Sequence, residues 1–200
     1  MPRPACPRCR RPLTHCLCAL IPRLHSRTRV LILQHPDESS HALNTARLAA
    51  MGLSNAELLV GEIFADELTR YLADPDYRSV LLFPGEQAEL PEAHGAESRP
   101  LQLIVPDGTW RKARKLLYLN PVLEQLPRLS LPPGLTSRYR LRKAPQPGAL
   151  STLEAIVETL NRLEPERCFT NLLRPFEALI EGQIQAMGAQ TYQRNHGNLM

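Results

Sequence analysis

Val105-Pro106-Asp107-Gly108-Thr109-Trp110-Arg111-Lys112-Ala113-Arg114-Lys115-Leu116-Leu117-Tyr118-Leu119-Asn120-Pro121 decides how this chain folds. It reads as the end of an apolar strand, a tight turn, a helix and a stop. Thr109 or Asp107 can cap the helix, and Asn120-Pro121 ends it. Helical spacing puts Trp110, Ala113 and Leu117 on one face and fans Arg111, Lys112, Arg114 and Lys115 across the other. An acid at the carboxyl end of a parallel strand, beside a positive helix N-terminus, stands in the crevice where open α/β sheets bind ligands. Asp107 reads equally as a plain cap and as a reactive carboxylate, and Trp110 equally as core and as a stacking ring.

The pattern repeats outward. Leu101 to Pro106 is the apolar strand leading into the turn, and Arg29 to His35 is a similar run stopped by Pro36. Glu57 to Gly61, Ser79 to Gly85 and Leu126 to Leu131 give three more strand candidates. Asp37 to Ser40 start a helix that contains Asn44 to Ala50 and ends at Gly52. Glu86 to Pro100 reads as a loop. Near the C-terminus, Ser151-Thr152-Leu153-Glu154 is a capping box ahead of Leu153, Ile156, Val157, Leu160 and Leu163 at helical spacing. A closing helix starts at Pro175 and buries Phe176, Leu179, Ile180 and Met187. Continuous apolar strands separated by helices predict an α/β fold, a mainly parallel sheet with helices on both faces.

With 200 residues, 43% hydrophobic and 22% charged, the chain has the composition of an ordered globular domain. No apolar run spans a bilayer and the N-terminus lacks a secretory h-region, so a soluble, cytoplasmic protein without membrane contact is expected. The net charge of +4 conceals segregation. Residues 1–36 carry +7, residues 37–106 carry −8, and residues 107–143 carry +7. Two basic blocks around an acidic middle, with 21 Arg among 24 basic residues, suit a polyanionic partner.

Four of the five cysteines fall in Cys6-x2-Cys9-x6-Cys16-x-Cys18. A proline-rich segment this short cannot bury a core, and four thiolates close a tetrahedral zinc site with no open position, hence a structural one. A redox dithiol or a disulfide pair is the competing reading, disfavoured by the expected compartment and by the lack of a strand–CxxC–helix pattern. A boundary is expected near residue 25, with residues 1–25 as an N-terminal zinc module and 26–200 as the main domain. Cys168 reads as an inert buried thiol.

Asp107-Gly108-Thr109-Trp110 followed by Ala113-Arg114 resembles the D-x-T-W signature of the DTW-domain family. The cysteine cluster, Leu33-Gln34-His35-Pro36, Asn44-Thr45-Ala46-Arg47, Phe83-Pro84-Gly85, Arg142-Lys143-Ala144-Pro145 and Leu150 to Ala155 extend the resemblance over nearly the whole chain. It implies a SPOUT-like domain with a deep C-terminal knot that holds S-adenosylmethionine. It further implies transfer of the 3-amino-3-carboxypropyl group to N3 of a tRNA uridine, acp3U, at position 47, with methylthioadenosine leaving. Two rivals share parts of this reading: a SPOUT-type RNA methyltransferase, and a non-catalytic zinc-containing RNA-binding protein.

Within that resemblance the catalytic residues are Asp107, Thr109 and Trp110, with Asp107 either the base for the N3 proton or an anchor for the cofactor. The cofactor falls to Leu82, Phe83, Pro84, Gly85, Val105, Asp107, Ser151 and Thr152, because Pro-Gly turns and helix starts bring backbone groups close to a ligand. Cys6, Cys9, Cys16 and Cys18 hold the metal. RNA contact falls to Arg8, Arg10, Arg11, Arg47, Arg111, Lys112, Arg114, Lys115, Arg138, Arg140, Arg142 and Lys143, the last four on a proline-flanked stretch with Tyr139.

Overall fold

The computed structural model describes residues 4–41, 43–94, 99–139 and 149–196. The run Val30 to Leu33 has no solvent exposure at any of its four residues, which requires a central strand covered on both faces. It belongs to β1 (Arg29–Gln34), followed by α1 (Pro36–Ser39), α2 (Thr45–Gly52), β2 (Ala56–Val60), α3 (Ala65–Leu72) and β3 (Arg78–Leu82). Next come β4 (Leu101–Asp107), α4 (Trp110–Leu119), β5 (Arg128–Leu129), α5 (Thr152–Leu163), α6 (Arg174–Met187) and α7 (Ala189–His196). The strands form one sheet in the order β2-β1-β4-β3-β5, and every pairing is parallel.

Strand alternation splits the core in two. Val30, Ile32, Leu103 and Val105 face one side, under α2, α5 and α6. Leu31, Leu33, Leu81 and Ile104 face the other, under α3 and α4. From β1 the chain runs through α2 to β2 on one side of the sheet order. From β4 it runs through α4, on the opposite face, past β3 to β5. The carboxyl ends of β1 and β4 are therefore the reversal point of the strand order, where a crevice opens.

Several local outcomes differ from the sequence reading. The single helix expected from Asp37 is two: Ser40 ends α1, and Asn44 caps α2 by accepting from Arg47 N at 3.0 Å. α3 was not anticipated, although Phe64, Leu68 and Tyr71, all buried, carry its spacing. Met187, expected in the core, is only half-buried. Cys168 is exposed rather than buried, and hydrogen bonds from Thr170 lower its thiol below the ordinary value. In metal-loaded protein, iodoacetamide should therefore label Cys168 first, and Cys168→Ser should remove that adduct from the peptide map. The stretch 140–148, with the Arg142-Lys143-Ala144-Pro145 block, lies outside the described residues.

Residues Leu17, Leu20, Ile21 and Leu24 connect the cysteine segment to the domain by packing against the α2 side of the core. At the other end of β1, Glu164 (2% exposed) accepts from Arg27 N and Thr28 N, each at 2.9 Å. Glu164→Ala would leave two backbone donors without that acceptor, at about 1–3 kcal/mol for each that water does not rescue. We expect a urea midpoint shift equivalent to about 2–4 kcal/mol with unchanged secondary structure.

Candidate active site

Asp107 is the last residue of β4 and pairs in register with Gln34, the last of β1. Asp107 is 8% exposed, and both its carboxylate oxygens have donors. Gln34 Nε2 donates to Oδ2 at 2.7 Å, and Thr152 Oγ1, at the start of α5, donates to Oδ1. Gln34 is fully buried and exchanges hydrogen bonds with Asn44, its Nε2 donating to Asn44 Oδ1 at 3.1 Å and its Oε1 accepting from Asn44 Nδ2 at 3.2 Å. The Asp107 carboxylate is thus fixed between neutral donors from β1 and α5, and through Gln34 it is tied to the cap of α2.

Thr109 rather than Asp107 caps α4, accepting from Lys112 N at 3.3 Å. This frees the Asp107 side chain from the local role that sequence alone allowed it. A Cβ at Gly108 (φ +157°) would lie 2.9 Å from Lys112 Cβ, closer than real side chains come. Gly108→Ala must therefore displace the first turn of α4. We expect a loss of more than about 1 kcal/mol, read as a lowered Tm.

Two cavities flank Asp107. The first, about 640 Å³, is largely apolar and is lined by Leu82, Phe83, Pro84, Val105, Trp110, Leu129, the stretch Ser130 to Thr136, Leu150 and Thr152, among others. Its volume falls in the range of cofactor sites. Trp110, half-buried, meets Phe83 edge to face at 5.7 Å between ring centres. The second, about 400 Å³, is polar and is lined by Glu38, His41, Asn44, Thr45, Asp107, Thr109, Tyr139 and Ser151, among others. Gly108 and Thr152 line both, so Asp107 and its Thr152 partner stand where the two spaces meet.

Of the residues expected around the cofactor, Leu82, Phe83, Pro84, Val105 and Thr152 line the apolar cavity, and Asp107 and Ser151 line the polar one. Gly85 lines neither and lies against the Arg128 side chain. The capping box of α5 forms as expected, and its Glu154 also accepts from Ser137 Oγ at 2.9 Å and Arg138 N at 2.6 Å. That buried carboxylate pins the loop leaving the apolar cavity to the helix that carries Thr152. The sequence reading missed the wall Ser130 to Thr136, whose signal was Pro132-Pro133-Gly134, a turn with no helix following it.

The basic residues divide. Lys112 Nζ pairs with Glu38 at 2.8 Å and Asp37 at 3.3 Å, and Lys115 Nζ pairs with Glu62 at 2.8 Å. The Lys112 and Lys115 ion pairs draw on the acidic middle of the chain. Arg138 pairs with Glu177 at 2.5 Å on the surface. Arg111 and Arg114 are exposed and form no ion pair with a described residue. Arg8 and Arg10 are exposed on the cysteine segment. Arg11 and Arg47 form a second group: burial lowers both guanidinium groups, Arg11 feels the charges of Cys9, Tyr139 and Arg47, and Arg47 feels those of Arg10 and Cys9. Arg140, Arg142 and Lys143 lie outside the described residues.

The four sulfurs of Cys6, Cys9, Cys16 and Cys18 all lie within 4.8 Å of one another. Cys6 and Cys18 are 3.6 Å apart and Cys9 and Cys16 3.8 Å apart. A regular tetrahedron with metal–sulfur bonds of about 2.3 Å has edges of about 3.8 Å, so these two separations match a zinc shell and the four thiols could hold one ion. Bonded sulfurs would be about 2.05 Å apart, so none of these pairs is a disulfide. Backbone N–H groups of Cys9 and Arg8 lower the Cys6 thiol to about 6, while burial and the neighbouring thiols push Cys18 up to about 12.

Fold and site together define an open, parallel α/β protein whose ligand spaces meet at the reversal of strand order. The chain belongs to the DTW-domain family, whose domain matches residues 3–184. It is 36% identical over 197 residues to tRNA-uridine aminocarboxypropyltransferase 2 of Mus musculus and 34% identical over 197 residues to that of Macaca fascicularis. Each match covers 94% of this chain and 66% of the relative, so the chain spans just under two thirds of those proteins. The enzyme of the same name from Drosophila melanogaster is 32% identical over 193 residues, covering 91% of this chain and 76% of the relative. No solved structure matches. No helix among the described residues is long and apolar enough to cross a membrane.

Proposed function

We propose that this chain transfers the 3-amino-3-carboxypropyl group of S-adenosylmethionine to N3 of a tRNA uridine, at position 47, releasing methylthioadenosine in the cytoplasm. The observation that carries this reading is the name its relatives share across more than nine-tenths of the chain. The geometry agrees with it. The apolar cavity, with the Phe83–Trp110 pair and the Leu82 to Pro84 turn, suits an adenine ring and a thioether. When bound there, the sulfonium supplies its own leaving group, so the protein has two tasks: alignment, and removal of the N3 proton.

Alignment is worth several kcal/mol, and a positioned base roughly 10²–10⁴-fold in rate. Asp107 is the base in this reading. It stands where the two cavities meet, and Gln34 and Thr152 hold its carboxylate in one orientation. Thr109 fixes the turn that presents Asp107, and Trp110 walls the cofactor space. Residues 1–25 form a structural zinc module on the catalytic domain 26–200, which carries the SPOUT-like knot. Arg8, Arg10, Arg11, Arg47, Arg111 and Arg114, with the basic stretch through 138–143, take RNA phosphates; the ion pairs of Lys112 and Lys115 leave those two a lesser share.

The test uses unmodified tRNA and two labelled cofactors, one labelled in the methionine carboxyl and the other in the S-methyl. Carboxyl label entering tRNA without methyl label is the expected result. Methyl label alone would make the chain a methyltransferase, and cofactor-free binding of tRNA would make it a binding module.

A further inference from the structure

We propose that the polar cavity receives the extruded target nucleotide, and that Arg47, in the first turn of α2, grips a phosphate beside it. This inference rests on the transfer reading above and assigns that reaction its second binding space.

The two cavities differ in what they offer a nucleobase. The apolar one has hydroxyl-bearing residues (Ser130, Thr136, Thr152) but no carboxylate, imidazole or amide side chain in its lining, whereas the polar one presents Asn44, His41, Glu38 and the Asp107 carboxylate. The Watson–Crick edge of uracil runs acceptor, donor, acceptor, with N3–H in the middle. A carboxylate accepts from that N3–H, whereas cytosine presents a lone pair at N3 and would be repelled. The side chain that takes the proton in the transfer reading therefore also selects uridine, provided the base sits in the polar cavity.

The rim supplies the second argument. Tyr139 lines the polar cavity on one side. Arg47 sits in the first turn of α2, whose cap Asn44 also lines the cavity. A guanidinium on the first turn of a helix whose cap lines a base-sized space can take a phosphate that arrives there. An extruded base carries its own two phosphates to that mouth.

Two measurements test this without requiring turnover. Fluorescence anisotropy of labelled, unmodified tRNA at fixed salt should show Kd rising at least tenfold for Arg47→Glu. Arg47→Gln should give a smaller loss of the same sign, and Arg194→Glu on α7, an equal change of charge, less than a threefold one. Affinity for S-adenosylmethionine, measured by calorimetry, should stay within twofold of wild type for all three. In the second measurement, 4-thiouridine at the target position is photocrosslinked and the adduct mapped. Adducts at His41, Leu43, Asn44, Thr45, Thr109 or Tyr139 are expected. Adducts confined to 129–136, or absent from the polar cavity while tRNA is bound, would overturn the inference, as would equal losses for Arg47→Glu and Arg194→Glu. A wild-type chain that transfers label but crosslinks elsewhere sinks this inference alone. One that crosslinks as expected but transfers nothing sinks only the transfer reading.

Discussion

Asp107→Asn is expected to lower kcat by roughly 10²–10⁴-fold while leaving the affinity for S-adenosylmethionine within a few-fold of wild type. The carboxylate accepts on both oxygens, from Gln34 Nε2 at 2.7 Å and from Thr152 Oγ1. An asparagine side chain replaces one of those oxygens with an NH2 group, which meets a donor if it faces Gln34 Nε2 and makes the Thr152 hydroxyl reverse from donating to accepting if it faces Oγ1. The amide also has no proton affinity for the N3 proton. Stability should fall by less than about 1–3 kcal/mol, the cost of one buried donor left without an acceptor, because the Thr152 hydroxyl can accept from the new amide. The split between kcat and binding is the informative readout. Unchanged turnover with intact cofactor binding would remove Asp107 as the base. A tenfold loss of cofactor affinity with modest loss of kcat would make it an anchor for the cofactor's ammonium.

Purified protein should carry one zinc per chain, and Cys9→Ser should lose it together with the order of residues 4–18. Structural zinc sites of this kind contribute about 10–16 kcal/mol of apparent binding free energy in small peptides, much of it folding energy. The cysteine segment has little else to hold it, since Leu17 is its main core contact. Acidification should release the metal. Cys6, lowered to about 6, is a thiolate above that pH and gains a proton as pH falls through it. Cys18, raised to about 12, keeps its proton at neutral pH until a metal displaces it. Every ligand must be deprotonated to bind, so affinity rises with pH and falls in acid. Metal content by colorimetric release, with hydrogen exchange across residues 4–18, reads both effects. A Cys9→Ser protein that retains stoichiometric zinc and full protection would overturn the four-cysteine site.

Much of this was legible without coordinates because it is local. Four cysteines within thirteen residues can converge on one ion whatever the rest of the chain does. The runs at Val30 and Leu103 are too apolar to face water, so they predict a parallel sheet covered on both sides. The capping box at Ser151 is written in four consecutive residues, and it forms. α3 was missed because its acidic first turn, Asp66-Glu67, reads as part of the charged middle of the chain. The second and third strands came out shifted because Gly61 and Pro84-Gly85 belong to the turns beyond them.

The sequence by itself determined the fold class, the cluster of four cysteines that could hold a metal ion and the strand–turn–helix at Asp107-Gly108-Thr109-Trp110, since each depends on spacing within a single segment. Only the tertiary structure decided what Asp107 is free to do. Sequence allows either Asp107 or Thr109 to cap α4, and the cap goes to Thr109 because the Asp107 carboxylate is drawn to Gln34, 73 residues away, and to Thr152, 45 residues away. The same holds for the lysines of α4, which look available along the chain and are paired with Asp37, Glu38 and Glu62 in space. Contacts of that separation depend on strand order, and strand order is set by how the whole apolar surface is buried, which no single stretch of the chain contains.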